Sequence, residues 1–191
     1  MFNHSNGELH IPRPAVSTRT SLINTMHSSE GGCFFETALF EMENGDLCSA
    51  CSLVKGDVMK GGFKVECVIA SKIGELSLAY RLGDKTEVTA YHPFRYKGGA
   101  WCFPIEHMKS VRIDERCVYN LVLDRGHVVT DGRHEFVTLG HGMKGAVVEH
   151  PFFGGKIVDE LKKMDGWNDG YIELRVKMTR GKDGLVNGFD V

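Results

Sequence analysis

The chain has 191 residues, enough for one domain with appendages or two small ones, and its 23 Lys and Arg against 25 Asp and Glu leave a formal charge of −2. No basic block or stripe exists to draw in a nucleic acid, no apolar run is long enough to cross a bilayer, and Met1-Phe2-Asn3-His4-Ser5-Asn6-Gly7 lacks the charged and apolar regions of a secretory leader. A cytoplasmic location is therefore the default expectation, with the six cysteines read as reduced thiols because a chain of this size can build a core without bridges.

Residues 1–32 read as a flexible N-terminal flank. Ser, Thr, Asn and Gly dominate, Pro12 and Pro14 bracket an arginine, and hydrophobic periodicity is absent. From Cys33 the texture changes. Thr37 to Glu43 alternates apolar and polar residues and meets Asn44-Gly45, a strong hairpin signal. Leu53 to Met59 reads as a turn feeding a strand. Lys64 to Ser71 and Glu75 to Arg81 read as two strands joined through Ile73-Gly74, and Val118 to Leu123 as another. His127 to Thr130 and Glu135 to Leu139 flank Asp131-Gly132 as a further hairpin. Many short strands with regular turns predict an all-β unit over 33–142. After Gly142 the pattern shifts to an α/β extension over 143–191. Ile157, Val158, Leu161 and Met164 have helical spacing within Gly155 to Met164, with Gly166 as the stop. Tyr171 to Met178 alternates as a single strand, and Arg180 to Gly184 is turn-like.

The chemistry centres on Cys33, preceded by Gly31-Gly32. A thiolate there can attack the peptide bond before it, and two glycines on the acyl side let the backbone adopt strained geometry. Thr89-Ala90-Tyr91-His92-Pro93 supplies a hydroxyl and an imidazole three residues apart. An imidazole of near-neutral pKa can accept a proton and then donate it, commonly worth a factor of about a hundred to ten thousand. The hydroxyl of Thr89 can hold the scissile carbonyl or the imidazole. A second match to this spacing, Thr138-Leu139-Gly140-His141, occurs later. Cys48-Ser49-Ala50-Cys51 lacks partners at zinc spacing, and its apolar setting assigns both cysteines to the core, as for Cys67, Cys102 and Cys117. Cys67 is also a candidate to line the site. His107, His134 and His150 have no metal spacing.

In combination these residues resemble the Hint superfamily, the fold shared by inteins and the autoprocessing part of Hedgehog proteins. The motifs are Cys33-Phe34, Thr37, Gly45, Val54, Gly56-Asp57-Val58, Thr89-x-x-His92-Pro93, and Val118-Tyr119-Asn120-Leu121 ahead of His127. The stretch from Val118 to Gly142, followed by His150-Pro151-Phe152-Phe153, is most similar to the Vint branch, found beside von Willebrand A domains in eukaryotes. The resemblance implies a mainly β, horseshoe-like Hint fold with a small α/β C-terminal extension. By position it makes Cys33 the nucleophile, Gly32-Cys33 the scissile bond, and Thr89 and His92 the activating pair, with His127 and His141 as further candidates.

Two departures limit the analogy. No asparagine follows Asp131-Gly132 where inteins cyclise, and Val65-Glu66-Cys67-Val68 lacks the aspartate that Hedgehog domains use on a sterol. Splicing and sterol transfer are therefore not expected. The expected activity is single-turnover autoproteolysis: an N-to-S acyl shift at Gly32-Cys33, then hydrolysis or transfer to a thiol or amine. It needs no cofactor and no metal, and its substrate is the chain's own flank. The competing expectation is a catalytically silent Hint-fold binding or scaffold module. A zinc-stabilised β-domain using Cys48 and Cys51 is a third.

Overall fold

The computed structural model describes residues 31–73, 77–84, 86–114 and 117–190. The expected flank therefore lies outside the described residues except for Gly31-Gly32, as does the link at Gly74.

The organising element is a pair of long antiparallel strands, β5 (Phe63–Lys72) and β10 (Cys117–Leu123), paired from Cys117↔Lys72 to Leu123↔Val65 with a register shift after Val122. Side chains alternate across this sheet with period two. Val68, Ala70, Tyr119 and Leu121 face one apolar cluster, built around Phe34, Phe40, Phe94 and Phe136. Cys67, Ile69 and Val122 face a second, with Leu139, Phe152, Ile157, Leu161, Ile172 and Phe189. Burial on both faces explains why Val118 to Leu123, Asn120 apart, reads as an apolar run rather than an alternating one.

Around this pair, β1 (Phe34–Phe35) lies between β10 and β7 (Thr86–Val88), and β7 continues through β6 (Ser77–Leu82) to β9 (Ser110–Ile113). The expected hairpin at Asn44-Gly45 forms between β2 (Leu39–Glu41) and β3 (Leu47–Ser49), with Gly45 at φ 88° as its turn demands. β4 (Val58–Met59) pairs with β5. The second expected hairpin joins β11 (Val128–Thr130) to β12 (His134–Val137), which also pairs with β8 (Phe94–Tyr96). Its turn is fixed by Asp131, whose Oδ1 accepts the Arg133 and His134 amides and whose Oδ2 lies 2.9 Å from His134 Nδ1. His134 is thus a buried, satisfied histidine. A short helix α1 (Pro104–His107) links β8 to β9.

The extension does not stand apart. A π-type turn over Phe152–Lys156 runs into the helix α2 (Ile157–Leu161), shorter than the periodicity suggests, and Gly166 follows at φ 89°. The single strand expected over Tyr171 to Met178 is instead two. β13 (Tyr171–Leu174) joins the main sheet parallel to β5, while β14 (Lys177–Arg180) pairs with β15 (Val186–Asp190). Alternation alone does not show that the chain changes partners at Arg175-Val176. Cys51 is exposed and so not core, whereas Cys48, Cys102 and Cys117 are half-buried against the first cluster; Cys67 is buried in the second cluster, away from the site cavity. All six cysteines are unbridged thiols.

Candidate functional site

Strand pairing sets the centre of the site. Phe34 pairs with Val88 on one side and Tyr119 on the other, both antiparallel. One residue earlier, the same registers put Cys33 between Thr89 and Asn120. The Cys33 amide donates to Thr89 Oγ1 at 2.9 Å, and the Thr89 amide donates back to the Cys33 carbonyl at 3.0 Å. On the other side, Asn120 Nδ2 donates to Cys33 Sγ at 3.1 Å, and Sγ lies 3.8 Å from the Gly31 carbonyl oxygen. Thr89 therefore holds the nitrogen of the Gly32-Cys33 peptide, whereas the sequence left its role open between the carbonyl and the imidazole.

Pro93 ends the turn after Thr89, and the His92 amide donates to the Thr89 carbonyl. This tucks His92 inward until it is 1 % exposed, its ring 4.1 Å from that of Phe34. Its Nε2 lies 3.0 Å from the Val137 carbonyl oxygen. A carbonyl only accepts, so Nε2 carries the hydrogen and Nδ1 carries the lone pair. Nδ1 is buried with no hydrogen-bond partner among the described residues. It abuts the Gly32-Cys33 peptide: a Cβ added to Gly32 would sit 2.9 Å from Nδ1 and 2.6 Å from the His92 Cα. Burial pushes the His92 pKa down to about 4, against the backbones of Val137 and Cys33, which favour the charged ring. At neutral pH His92 is uncharged, with Nδ1 close beside Gly32.

The peptide borders a cavity of about 380 Å³ lined by Gly31, Gly32, His92, Asn120, Thr138 and His141 together with the segment from Gly145 to Pro151 and Phe153. His141 Nδ1 accepts the Met143 amide at 3.1 Å, and burial, followed by the charges of His127 and His150, lowers its pKa to about 4. His127 sits one layer away. Its backbone is strained at φ 51°, its carbonyl accepts the Thr138 amide, and burial lowers its pKa. Structure thus gathers Cys33, Thr89, His92 and His141 around one peptide and leaves His127 behind the Thr138–His141 segment. Asn120 is the participant that residue-by-residue reading did not place in the site. It appears in the sequence only within the Val118-Tyr119-Asn120-Leu121 motif, and its contact depends on a strand register that no local pattern displays.

Among the described residues no group of three or more His, Cys, Asp or Glu could hold a metal ion, and no helix is long and apolar enough to cross a membrane.

Among solved structures, the chain is similar to a DnaB intein from Synechocystis sp. PCC 6803 at 18% identity, covering 56% of this chain and 98% of that one with a TM-score of 0.42. It is similar to a bacterial intein-like domain from Clostridium thermocellum at 14% identity, covering 56% and 98% with a TM-score of 0.44. No sequence match was found among curated proteins. The Vint family model, described as a Hint-domain, matches residues 32–188, from the glycine before Cys33 to the last strand. By that match over most of its length, the chain belongs to the Vint family of Hint domains, mainly β in fold.

Proposed function

We propose that this domain cleaves its own backbone at Gly32-Cys33 through an N-to-S acyl shift. The observation that carries the reading is the treatment of one peptide by two groups. Thr89 Oγ1 accepts its N–H at 2.9 Å, and the unpartnered Nδ1 of a neutral His92 abuts its glycine.

The thiol of Cys33 gives its proton to His92 Nδ1, and the sulfur attacks the carbonyl carbon of Gly32. Asn120 Nδ2 supports the negative charge on sulfur as it forms, a charge-assisted hydrogen bond stronger than a neutral one. The tetrahedral centre collapses, the C–N bond breaks, and His92 returns the proton to the departing nitrogen. Thr89 steers that nitrogen by accepting its N–H. The products are a Gly32 thioester on Cys33 Sγ and a free α-amine on Cys33. Water, a thiol or an amine then breaks the C–S bond, releasing the flank and restoring the thiol. His141, at the cavity wall, assists this second step, and His127 supports the segment that carries it. With Gly142 after His141, no side-chain amide is available there for cyclisation, so the extension stays attached.

The test is intact mass over time on the full chain and on Cys33→Ala. The wild type should yield residues 33–191, faster with added dithiol, while Cys33→Ala stays whole. Cleavage of Cys33→Ala at the same bond would refute the mechanism. A wild type that stays whole through the same time course would return the domain to a silent binding module.

A further inference from the structure

The second Thr-x-x-His match, Thr138 to His141, lines the cavity beside the Gly32-Cys33 peptide. Thr138 and His141 both line the cavity that Gly31, Gly32 and His92 border. Thr138 is 2 % exposed, and its hydroxyl has no hydrogen-bond partner among the described residues. A buried hydroxyl without a partner is costly, and threonine is seldom left so where valine would fit. No donor reaches the Gly32 carbonyl among the described residues, because Thr89 is committed to the nitrogen side.

Neighbouring residues hold Thr138 in place. The Val137 carbonyl anchors His92 Nε2, and the Thr138 amide donates to the His127 carbonyl at 2.9 Å. One short segment therefore fixes both the general base and this hydroxyl. His141 adds to the same wall: with Nδ1 accepting the Met143 amide, its neutral ring carries the hydrogen on Nε2.

We propose that Thr138 is a catalytic residue whose hydroxyl donates to the Gly32 carbonyl oxygen as it becomes an oxyanion. The inference rests on the N-to-S reading above. As the Cys33 thiolate adds to carbon, the carbonyl π pair moves to oxygen. The Thr138 hydrogen bonds to that oxygen and lets go when the pair returns and the C–N bond breaks. No proton is transferred, and the hydroxyl gains its partner only in the transition state, so it speeds the chemical step.

The experiment measures the first-order cleavage rate of the full chain in excess dithiol by intact mass, beside a thermal melt of each protein. Thr138→Val keeps the shape and removes the hydroxyl. It should melt at or above the wild-type temperature and cleave about a hundredfold more slowly, the scale of one oxyanion donor. Thr138→Ser should cleave within about threefold of wild type, since it keeps the donor. Thr138→Val cleaving at the wild-type rate, or Thr138→Ser as slow as Thr138→Val, overturns the proposal and leaves the acyl shift intact. A wild type that stays uncut in dithiol overturns both. Should the valine variant not fold, Thr138→Ala and Thr138→Ser differ by the hydroxyl alone, and equal rates for that pair overturn the proposal.

Discussion

Replacing Gly32 with alanine adds one methyl group at the scissile bond. The new Cβ would lie 2.6 Å from the His92 Cα and 2.9 Å from both Cγ and Nδ1 of its ring. Contacts under 3 Å with backbone cannot be relieved by turning a side chain. Either His92 or the Gly32-Cys33 peptide must move, by roughly 1 Å to reach ordinary contact. His92 has little room, with the Phe34 ring packed at a tilt against its own and Val137 holding Nε2. Overpacking of this kind costs about 1–3 kcal/mol of stability. A displacement near 1 Å between base and peptide costs about a hundredfold in rate. Gly32→Ala should therefore melt several degrees lower and cleave about a hundred times more slowly. The slowing should persist at a temperature where the variant is fully folded, shown by its circular dichroism. Mass spectrometry of time points in dithiol gives the rate. Wild-type cleavage and an unchanged melt would refute the placement of His92 against this peptide.

Other consequences of the geometry are open to measurement. His92→Ala should slow the acyl shift by about a hundredfold or more, and Thr89→Val by less, because the hydroxyl orients the nitrogen without moving a proton; equal rates for His92→Ala and wild type would remove His92 from the mechanism. Asn120→Ala loses the donor to sulfur and should cleave about tenfold more slowly. Asn120→Asp sets a carboxylate beside the thiolate, so its pH–rate profile should move to higher pH; an unmoved profile would deny the contact. Stability should also depend on pH. His92 has a folded pKa of about 4 against 6.5 for an ordinary histidine, so the unfolded chain binds more protons between those values. Its contribution is fully present above pH 6.5 and lost as pH falls to 4. At 1.4 kcal/mol per pH unit the gap makes about 3 kcal/mol. Urea midpoints of Cys33→Ala should fall over that window, and His92→Gln in the same background should flatten the fall.

The parts of the fold legible in the sequence are those set by local chemistry. Asn44-Gly45 and Asp131-Gly132 announce their hairpins because turn geometry demands particular residues, and Val118 to Leu123 announces a buried strand by apolarity interrupted only at Asn120. The two-residue β1 has no periodicity to show. The break between β13 and β14 hides because strand alternation continues smoothly while the pairing partner changes from β5 to β15. At the site, Cys33, Thr89 and His92 are readable by residue type and order. Asn120 is not, since its meeting with Cys33 follows from Phe34 pairing with Tyr119, a register written across 85 residues. Nor is the side of the peptide that Thr89 takes: a hydroxyl can donate or accept, and only the position of the Cys33 amide decides.

The most direct test of the central claim is the chemical identity of the new C-terminus. The full chain is incubated with hydroxylamine, which attacks thioesters and spares ordinary amides, and the released N-terminal fragment is sequenced by mass. A thioester at Gly32 predicts a fragment of residues 1–32 ending in a hydroxamate on Gly32, absent from Cys33→Ala. A fragment ending elsewhere than Gly32, the Asn-Gly bonds at Asn6, Asn44 and Asn187 that hydroxylamine itself cuts being set aside, or the same hydroxamate from Cys33→Ala, would contradict an acyl shift onto Cys33.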